Sequence, residues 1–257
     1  MKNVVRVKNV AIGEGKPKVC VPITGATKQE ISDELDLLQT INVDLVEWRG
    51  DLFKEIENEV AVQSILQKIN EEIPNLPLLF TFRTRAEGGG REVTLEEYQR
   101  INRFVIESKL TNMIDVELYR GEKLVKELVS FAHHHNQKVI ISNHDFNQTP
   151  SYEEIIARLQ LAVDYEADIG KIAVMPQSNQ DVLTLLSATS DMNERSSMPI
   201  VTMSMGEEGV ISRLAGEVFG SAITFASGKQ ASAPGQIEAE KLQTVLTIIH
   251  DSVNKYY

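Results

Sequence analysis

Short apolar runs recur along the chain at nearly even spacing: KVCVPI, VDLVEWR, LPLLFTFR, NMIDVEL, KVIISNHD, DIGKIAVM, PIVTMSM and SAITFAS. Each has strand length and the β-branched and aromatic residues that suit a pleated, buried surface. Between the runs the hydrophobic period becomes helical. Ile31, Leu35 and Leu38 share one face, and Leu95, Tyr98, Ile101 and Val105 share another. Several helix starts carry a Ser or Thr followed three residues later by Glu: Thr27 with Glu30, Thr94 with Glu97, Ser151 with Glu154. In such a box the hydroxyl accepts from an orphan N–H while the carboxylate reaches back. A last helix is predicted over about 237–253, after Pro234-Gly235.

Alternating strands and helices favour parallel pairing, and about eight such units in 257 residues match a closed (β/α)8 TIM barrel. A doubly wound open sheet is the alternative. No composition break, low-complexity tract or long linker divides the chain, so residues 1–257 are expected to form a single domain. Residues 1–16 are expected to make a short N-terminal hairpin closing the bottom of the barrel.

In a barrel, chemistry gathers at the C-terminal ends of the strands, and side chains two apart on a strand share a face. That parity groups Glu47 with Arg49, Thr81 with Arg83 and Arg85, and Asp115 with Glu117. It also groups Ser142 with His144, Ile169 with Lys171 and Ala173, and Met203 with Met205. A packed core does not need so many charges at strand ends; an active site does. Lys171 is the sharpest case. Burying an ammonium among aliphatic groups is costly unless it is paired or gives up its charge. It is either a structural lysine held by Asp115 or Glu117, or an amine nucleophile freed by desolvation and by neighbours such as Arg83 or His144. His144 is either a hydrogen-bonded core histidine or a proton shuttle. Glu87 is either a solvated loop carboxylate or the group that orients a histidine.

Other features carry less. His133, His134 and His135 are successive, and successive helical residues do not share a face, so they suit a helix end better than a metal. EGGGRE lacks the ending and context of a phosphate loop and reads as a flexible loop after the third barrel strand. No dinucleotide or metal-ligand motif is evident, so neither a cofactor nor a metal is expected. Trp48 reads as packing.

Composition narrows the class. The chain is 42% hydrophobic and 25% charged, as globular proteins are, and its net charge of −11 argues against nucleic acid or anionic membrane as partners. A local basic site can still hold a small anion. No run approaches the ~18 apolar residues of a membrane span, and no signal peptide is evident. One cysteine, Cys20, allows no intrachain disulfide. A cytoplasmic protein is expected.

Taken together, EWRGD, TFRTRAEGG, ISNHDF, ADIGKIAV, TMSMGEEGVISR, ITFAS and SAPGQI resemble the type I 3-dehydroquinate dehydratase family, in order, from about residue 18 onward. The resemblance implies a (β/α)8 barrel, usually a homodimer, acting in the shikimate route to aromatic amino acids (chorismate biosynthesis). It implies that Lys171 forms an imine with the C3 ketone of 3-dehydroquinate, that His144 moves the protons, and that Glu87 orients His144. It implies a syn elimination of water to 3-dehydroshikimate. It places Arg213 on the substrate carboxylate and Glu47, Arg49 and Arg83 around the ring hydroxyls. Ser232 and Gln236, in the predicted lid 227–236, would close over the substrate, and Met203, Met205 and Phe225 would form apolar walls. One departure is Pro22, where some members carry a serine on the first strand, which puts a first-strand hydroxyl contact in doubt. Two rivals remain. A lysine-dependent aldolase barrel would be expected to show phosphate-binding glycine loops after the last two strands. A binding-only module would be expected to have lost one of Lys171, His144 and Glu87.

Overall fold

The computed structural model describes residues 3–228 and 232–253. Two short strands, β1 (Val5–Val7) and β2 (Val10–Ile12), pair antiparallel as the N-terminal hairpin. Eight parallel strands follow: β3 (Lys18–Ile23), β4 (Leu45–Arg49), β5 (Leu78–Thr81), β6 (Met113–Glu117), β7 (Lys138–Asp145), β8 (Ile169–Val174), β9 (Ile200–Ser204) and β10 (Ile223–Phe225). β10 pairs with β3, so the sheet curls back on itself. The remaining gap, between β9 and β10, is bridged at Ile200 and Ser221, where Ala222 N–H donates to the Ile200 carbonyl at 2.7 Å. This is a barrel, not an open sheet.

The helices between the strands are α1 (Lys28–Leu38), α2 (Glu59–Glu72), α3 (Leu95–Ser108), α4 (Glu122–His134), α5 (Tyr152–Asp164) and α6 (Asn179–Arg195). Two short ones, α7 (Val210–Leu214) and α8 (Gly216–Phe219), lie between β9 and β10, and α9 (Ala239–Val253) follows. The boxes at Thr27 and Thr94 are reciprocal, as predicted. At Ser151 the hydroxyl caps Glu154 N–H, but no reciprocal bond forms because the Glu154 carboxylate accepts from Arg158 Nε at 2.8 Å. Leu95 also departs from its predicted face: as the first residue of α3 it stays exposed, while Tyr98, Ile101 and Val105 are buried.

Strand parity sorts the barrel into two environments. Outward positions such as Val46, Trp48, Phe80, Ile114, Ile141 and Ile172 pack against the helices in one apolar shell. Trp48 meets Phe80 edge-on at 5.5 Å, so it is packing and not pocket wall. Each large side chain buried there contributes roughly 1.5–3 kcal/mol, enough in sum to carry charged groups inside the barrel. Inward positions change along the strands. At the N-terminal ends Cys20, Leu45, Met113, Ile140, Ile169 and Ile223 fill the interior, and Val5, Val7 and Ile12 of the hairpin pack on this floor. One step toward the C-terminal ends, the inward residues are Glu47, Thr81, Asp115, Ser142 and Lys171, all buried.

Candidate active site

Lys171 is 6% exposed at the middle of β8, paired in register with Ser142 of β7 and Val201 of β9. Its Nζ lies 3.7 Å from Asp115 Oδ2 and 4.0 Å from Glu47 Oε1, and 4.2 Å from the Phe225 ring centroid. Its immediate setting is therefore two carboxylates and an aromatic face, each attractive to a cation. Of the neighbours the sequence reading offered, Asp115 is the one that lies against the amine. Glu47 is held in turn by Thr81 Oγ1 at 2.7 Å.

His144 ends the inward row of β7. Its Nδ1 and its backbone N–H both meet Glu87 Oε2 at 3.0 Å, and Asn143 Nδ2 donates to Glu87 Oε1 at 3.2 Å. Burial pushes the Glu87 carboxyl up to about 7, against the pull of Arg83. Burial, then repulsion from Arg83, Lys171 and Arg49, holds His144 well below its ordinary 6.5. A neutral imidazole with one nitrogen anchored is a base with the other nitrogen free.

These shifts have opposite signs for stability. Glu87 binds its proton more tightly folded than unfolded, so its contribution is full below 4.5 and is lost as pH rises through about 7. His144 resists protonation in the fold, so its contribution is present above 6.5 and is lost as pH falls below that value. Glu87→Gln should therefore gain stability relative to the parent as pH rises from about 5 to about 8. Urea unfolding at several pH values checks this; parallel curves would mean that Glu87 ionises normally in the fold.

Arg83 ties the barrel wall together. Its Nη2 donates to Asp115 Oδ1 at 2.7 Å, and its Nη1 to Ser142 Oγ at 2.9 Å and to Glu117 Oε1 at 3.2 Å. Burial works against its charge, but Asp115, Glu117 and Glu87 hold it firmly protonated. Arg49 makes a two-pronged pair with Asp51, at 2.8 and 2.9 Å. Asp51 also accepts from the backbone N–H of Arg83 and Gly90.

The glycine loop is held by backbone hydrogen bonds. Gly89 N–H donates to the Thr84 carbonyl at 2.8 Å, and Gly90 N–H to Asp51. A Cβ on Gly89 would stand 1.8 Å from the Arg83 carbonyl oxygen, and one on Gly88 (φ +82) would meet the Phe146 ring at 2.2 Å. The glycines allow close approach, which brings Glu87 beneath His144.

One pocket joins these groups, with an empty volume of about 570 Å³ including its mouth. Of the residues picked from sequence, Glu47, Arg49, Arg83, Glu87, His144, Lys171, Met203, Met205, Phe225, Ser232 and Gln236 all line it. Ser232 and Gln236 also bond each other, through Gln236 Nε2 to Ser232 Oγ at 2.9 Å and Ser232 N–H to Gln236 Oε1 at 2.7 Å. Residues 229–231 of the predicted lid lie outside the described residues.

Arg213 does not line the pocket. It sits 1% exposed behind the wall, its Nη2 donating to the Pro234 carbonyl at 2.9 Å and its Nη1 to the Phe225 carbonyl at 3.4 Å. Its Nε has no partner and no carboxylate pairs with it among the described residues; burial pulls its guanidinium down to about 10. An unneutralised buried cation there is suited to receive an anion.

Phe146, which sequence reasoning passed over, lines the pocket and stacks on His144 at 6.4 Å. It lies two residues past His144, so the same parity marks it. Asn143 and Asp51 act on the site from outward or loop positions, where parity is silent. Two of the three successive histidines go to separate partners: His133 meets Asp168 and His135 meets the Phe131 carbonyl.

The comparisons with known proteins agree with this geometry. Residues 19–253 match the type I 3-dehydroquinase family. Over 254 residues the chain is 50% identical to the 3-dehydroquinate dehydratase of Clostridium botulinum (strain Eklund 17B), covering 98% of this chain and all of that one. The crystal structure of type I 3-dehydroquinate dehydratase from Clostridium difficile, carrying covalently modified comenic acid, has a TM-score of 0.95 at 48% identity. It covers 98% of this chain and all of that one. The Geobacillus kaustophilus enzyme gives 0.93 at 35% identity, over 96% of each chain. With its barrel, its buried strand lysine and relatives of this closeness, the chain belongs to the type I 3-dehydroquinase family.

Proposed function

We propose that this protein is a 3-dehydroquinate dehydratase that removes water from 3-dehydroquinate, giving 3-dehydroshikimate, through an imine on Lys171. The family membership supports the reaction. The observation that carries the mechanism is the meeting of Lys171 and a Glu87-anchored His144 in one pocket. The Lys171 amine adds to the C3 ketone and water leaves, forming an iminium. That cation draws electrons from C2, so its proton is easily removed. His144 takes this proton on its free ring nitrogen and delivers it to the C1 hydroxyl as the C1–O bond breaks. One base serves both atoms because both leave the same face, which makes the elimination syn. Hydrolysis of the iminium frees the product. The iminium is the electron sink, so the scheme calls for no cofactor or metal.

Incubation with 3-dehydroquinate should produce the ultraviolet absorption of a conjugated enone. Cleavage of a carbon–carbon bond instead would favour an aldolase, and binding without turnover a binding module.

Arg213 is assigned to the substrate carboxylate, which would replace the backbone carbonyls as its partner. A hydrogen bond to an ion is worth roughly 1.5–3 kcal/mol, so Arg213→Ala should raise KM at least about tenfold, with kcat less affected. An unchanged KM would remove Arg213 from the site. Glu47, Arg49 and Arg83 are assigned to the ring hydroxyls, Ser232 and Gln236 to the mouth, and Met203, Met205 and Phe225 to the apolar walls.

A cytoplasmic homodimer is part of this reading. The lone, buried Cys20 suits a reducing compartment. No helix of the described residues is long and apolar enough to cross a membrane. Sedimentation showing a single-chain mass at micromolar concentration would contradict the dimer.

A further inference from the structure

Glu87 is held from both sides. Its Oε2 meets His144, while its Oε1 accepts from Asn143 Nδ2 at 3.2 Å. Asn143 lies between the inward Ser142 and His144 on β7, so strand parity turns its side chain out of the barrel, where it is buried. There its Oδ1 accepts from Arg158 Nη1 at 2.8 Å. Arg158 stands on α5; its Nε donates to Glu154 Oε1 at 2.8 Å, and Asp145 Oδ2 lies 4.0 Å from its Nη1. A line of hydrogen bonds therefore runs from a helix outside the barrel, through Asn143 and Glu87, to the imidazole in the pocket. Arg158 does not itself line that pocket.

A side-chain amide is nearly symmetric in shape but not in polarity. Turned over, Asn143 would aim its oxygen at Glu87 and repel the carboxylate. A guanidinium has donors and no acceptor, so Arg158 admits only the orientation that gives Glu87 a donor. A donated hydrogen bond favours the carboxylate over the acid. That preference matters here, because burial pushes the Glu87 carboxyl up to about 7 and brings both forms within reach near neutrality. Ionised, Oε2 accepts from Nδ1–H of His144, and Nε2 is the ring nitrogen with a free lone pair. Protonated, Oε2 donates to Nδ1 instead; the imidazole proton then sits on Nε2, which is no longer a base. We propose that Arg158 is a positioning residue for proton transfer, holding through Asn143 the arrangement that keeps His144 in the tautomer with Nε2 free. Every step that passes a proton through Nε2 then depends on a side chain that never touches the substrate.

Arg158→Met keeps the stem and its packing but cannot donate. With 3-dehydroquinate as substrate, its kcat at pH 7 should fall about tenfold, the worth of a hydrogen bond to an ion, while KM stays within about threefold of the parent. The acid limb of kcat should also move to higher pH, because Glu87 loses a donor that favours its ionised form. The other charged groups facing Glu87 stay in place: Arg83 just past β5, Asp115 and Glu117 on β6, and His144 on β7. So do Arg83, Lys171 and Arg49, which face His144. Asn143→Leu should lose at least as much, and adding Arg158→Met to it should cost nothing further, since one residue acts through the other. A measurement on the parent needs no variant of either residue to fold. Nitrogen NMR of the ring of His144, assigned by the signal missing from His144→Ala, should show the proton on Nδ1 near neutral pH. Parent kcat in Arg158→Met, a loss with the acid limb unmoved, fully additive losses in the double variant, or a parent proton on Nε2 each overturns the inference. It rests on His144 as the base, and His144→Ala separates the two. Normal turnover there overturns the base assignment, whereas parent kcat in Arg158→Met beside an impaired His144→Ala overturns the role of Arg158 alone.

Discussion

Lys171→Ala should abolish both borohydride labelling and turnover, with activity falling on the order of 10⁴-fold or more. No other amine among the described residues is placed in the pocket lining, so nothing can stand in for it. The parent, treated with borohydride and substrate or product, should be irreversibly inactivated and carry the ligand's mass on Lys171. The same substitution should lower stability. It leaves Glu47 without the cation it faces, while Asp115 keeps Arg83, so the loss should stay below the roughly 3–5 kcal/mol of a fully unpaired buried charge. Thermal unfolding reads that loss separately from activity. A fully active parent that borohydride does not label, or labels elsewhere, would return Lys171 to a structural role.

His144→Ala should fail differently. General acid–base catalysis contributes about 10²- to 10⁴-fold, so kcat should fall within that range while Lys171 remains able to bond. Product plus borohydride should still label Lys171 in this variant. The two substitutions thus divide the reaction between bond-making and proton transfer. If His144→Ala neither turns over nor labels, the histidine is needed before the imine as well as after it. If it turns over normally, the proton shuttle is another residue.

Much of this architecture is legible in the bare chain, because strand parity is a rigid code. Lys171, His144, Glu47, Arg83 and Asp115 were grouped by counting in twos, and each points inward. The code reads direction but not distance across the barrel, which is why Asp115, Glu117, Arg83 and His144 all stood as candidate neighbours of Lys171 until the fold put Asp115 there. It also says nothing about loops. Nothing in the glycine run after β5 signals that its missing side chains allow a tight fold over the Arg83 carbonyl and the Phe146 ring. Arg213 lies past a strand end, where no period applies. Its seat behind the wall follows from contacts with the Pro234 and Phe225 carbonyls, far along the chain. Leu95 shows the limit at helix ends: period alone put it inside, and its position at the first turn leaves it in solvent.

The hairpin under the barrel has a consequence for traffic. With Val5, Val7 and Ile12 corking the lower end against Leu45, Met113 and Ile169, the well is blind. Among the described residues the pocket's mouth lies by Ser232 and Gln236, away from that floor, so a molecule leaving by that mouth must clear it before another enters.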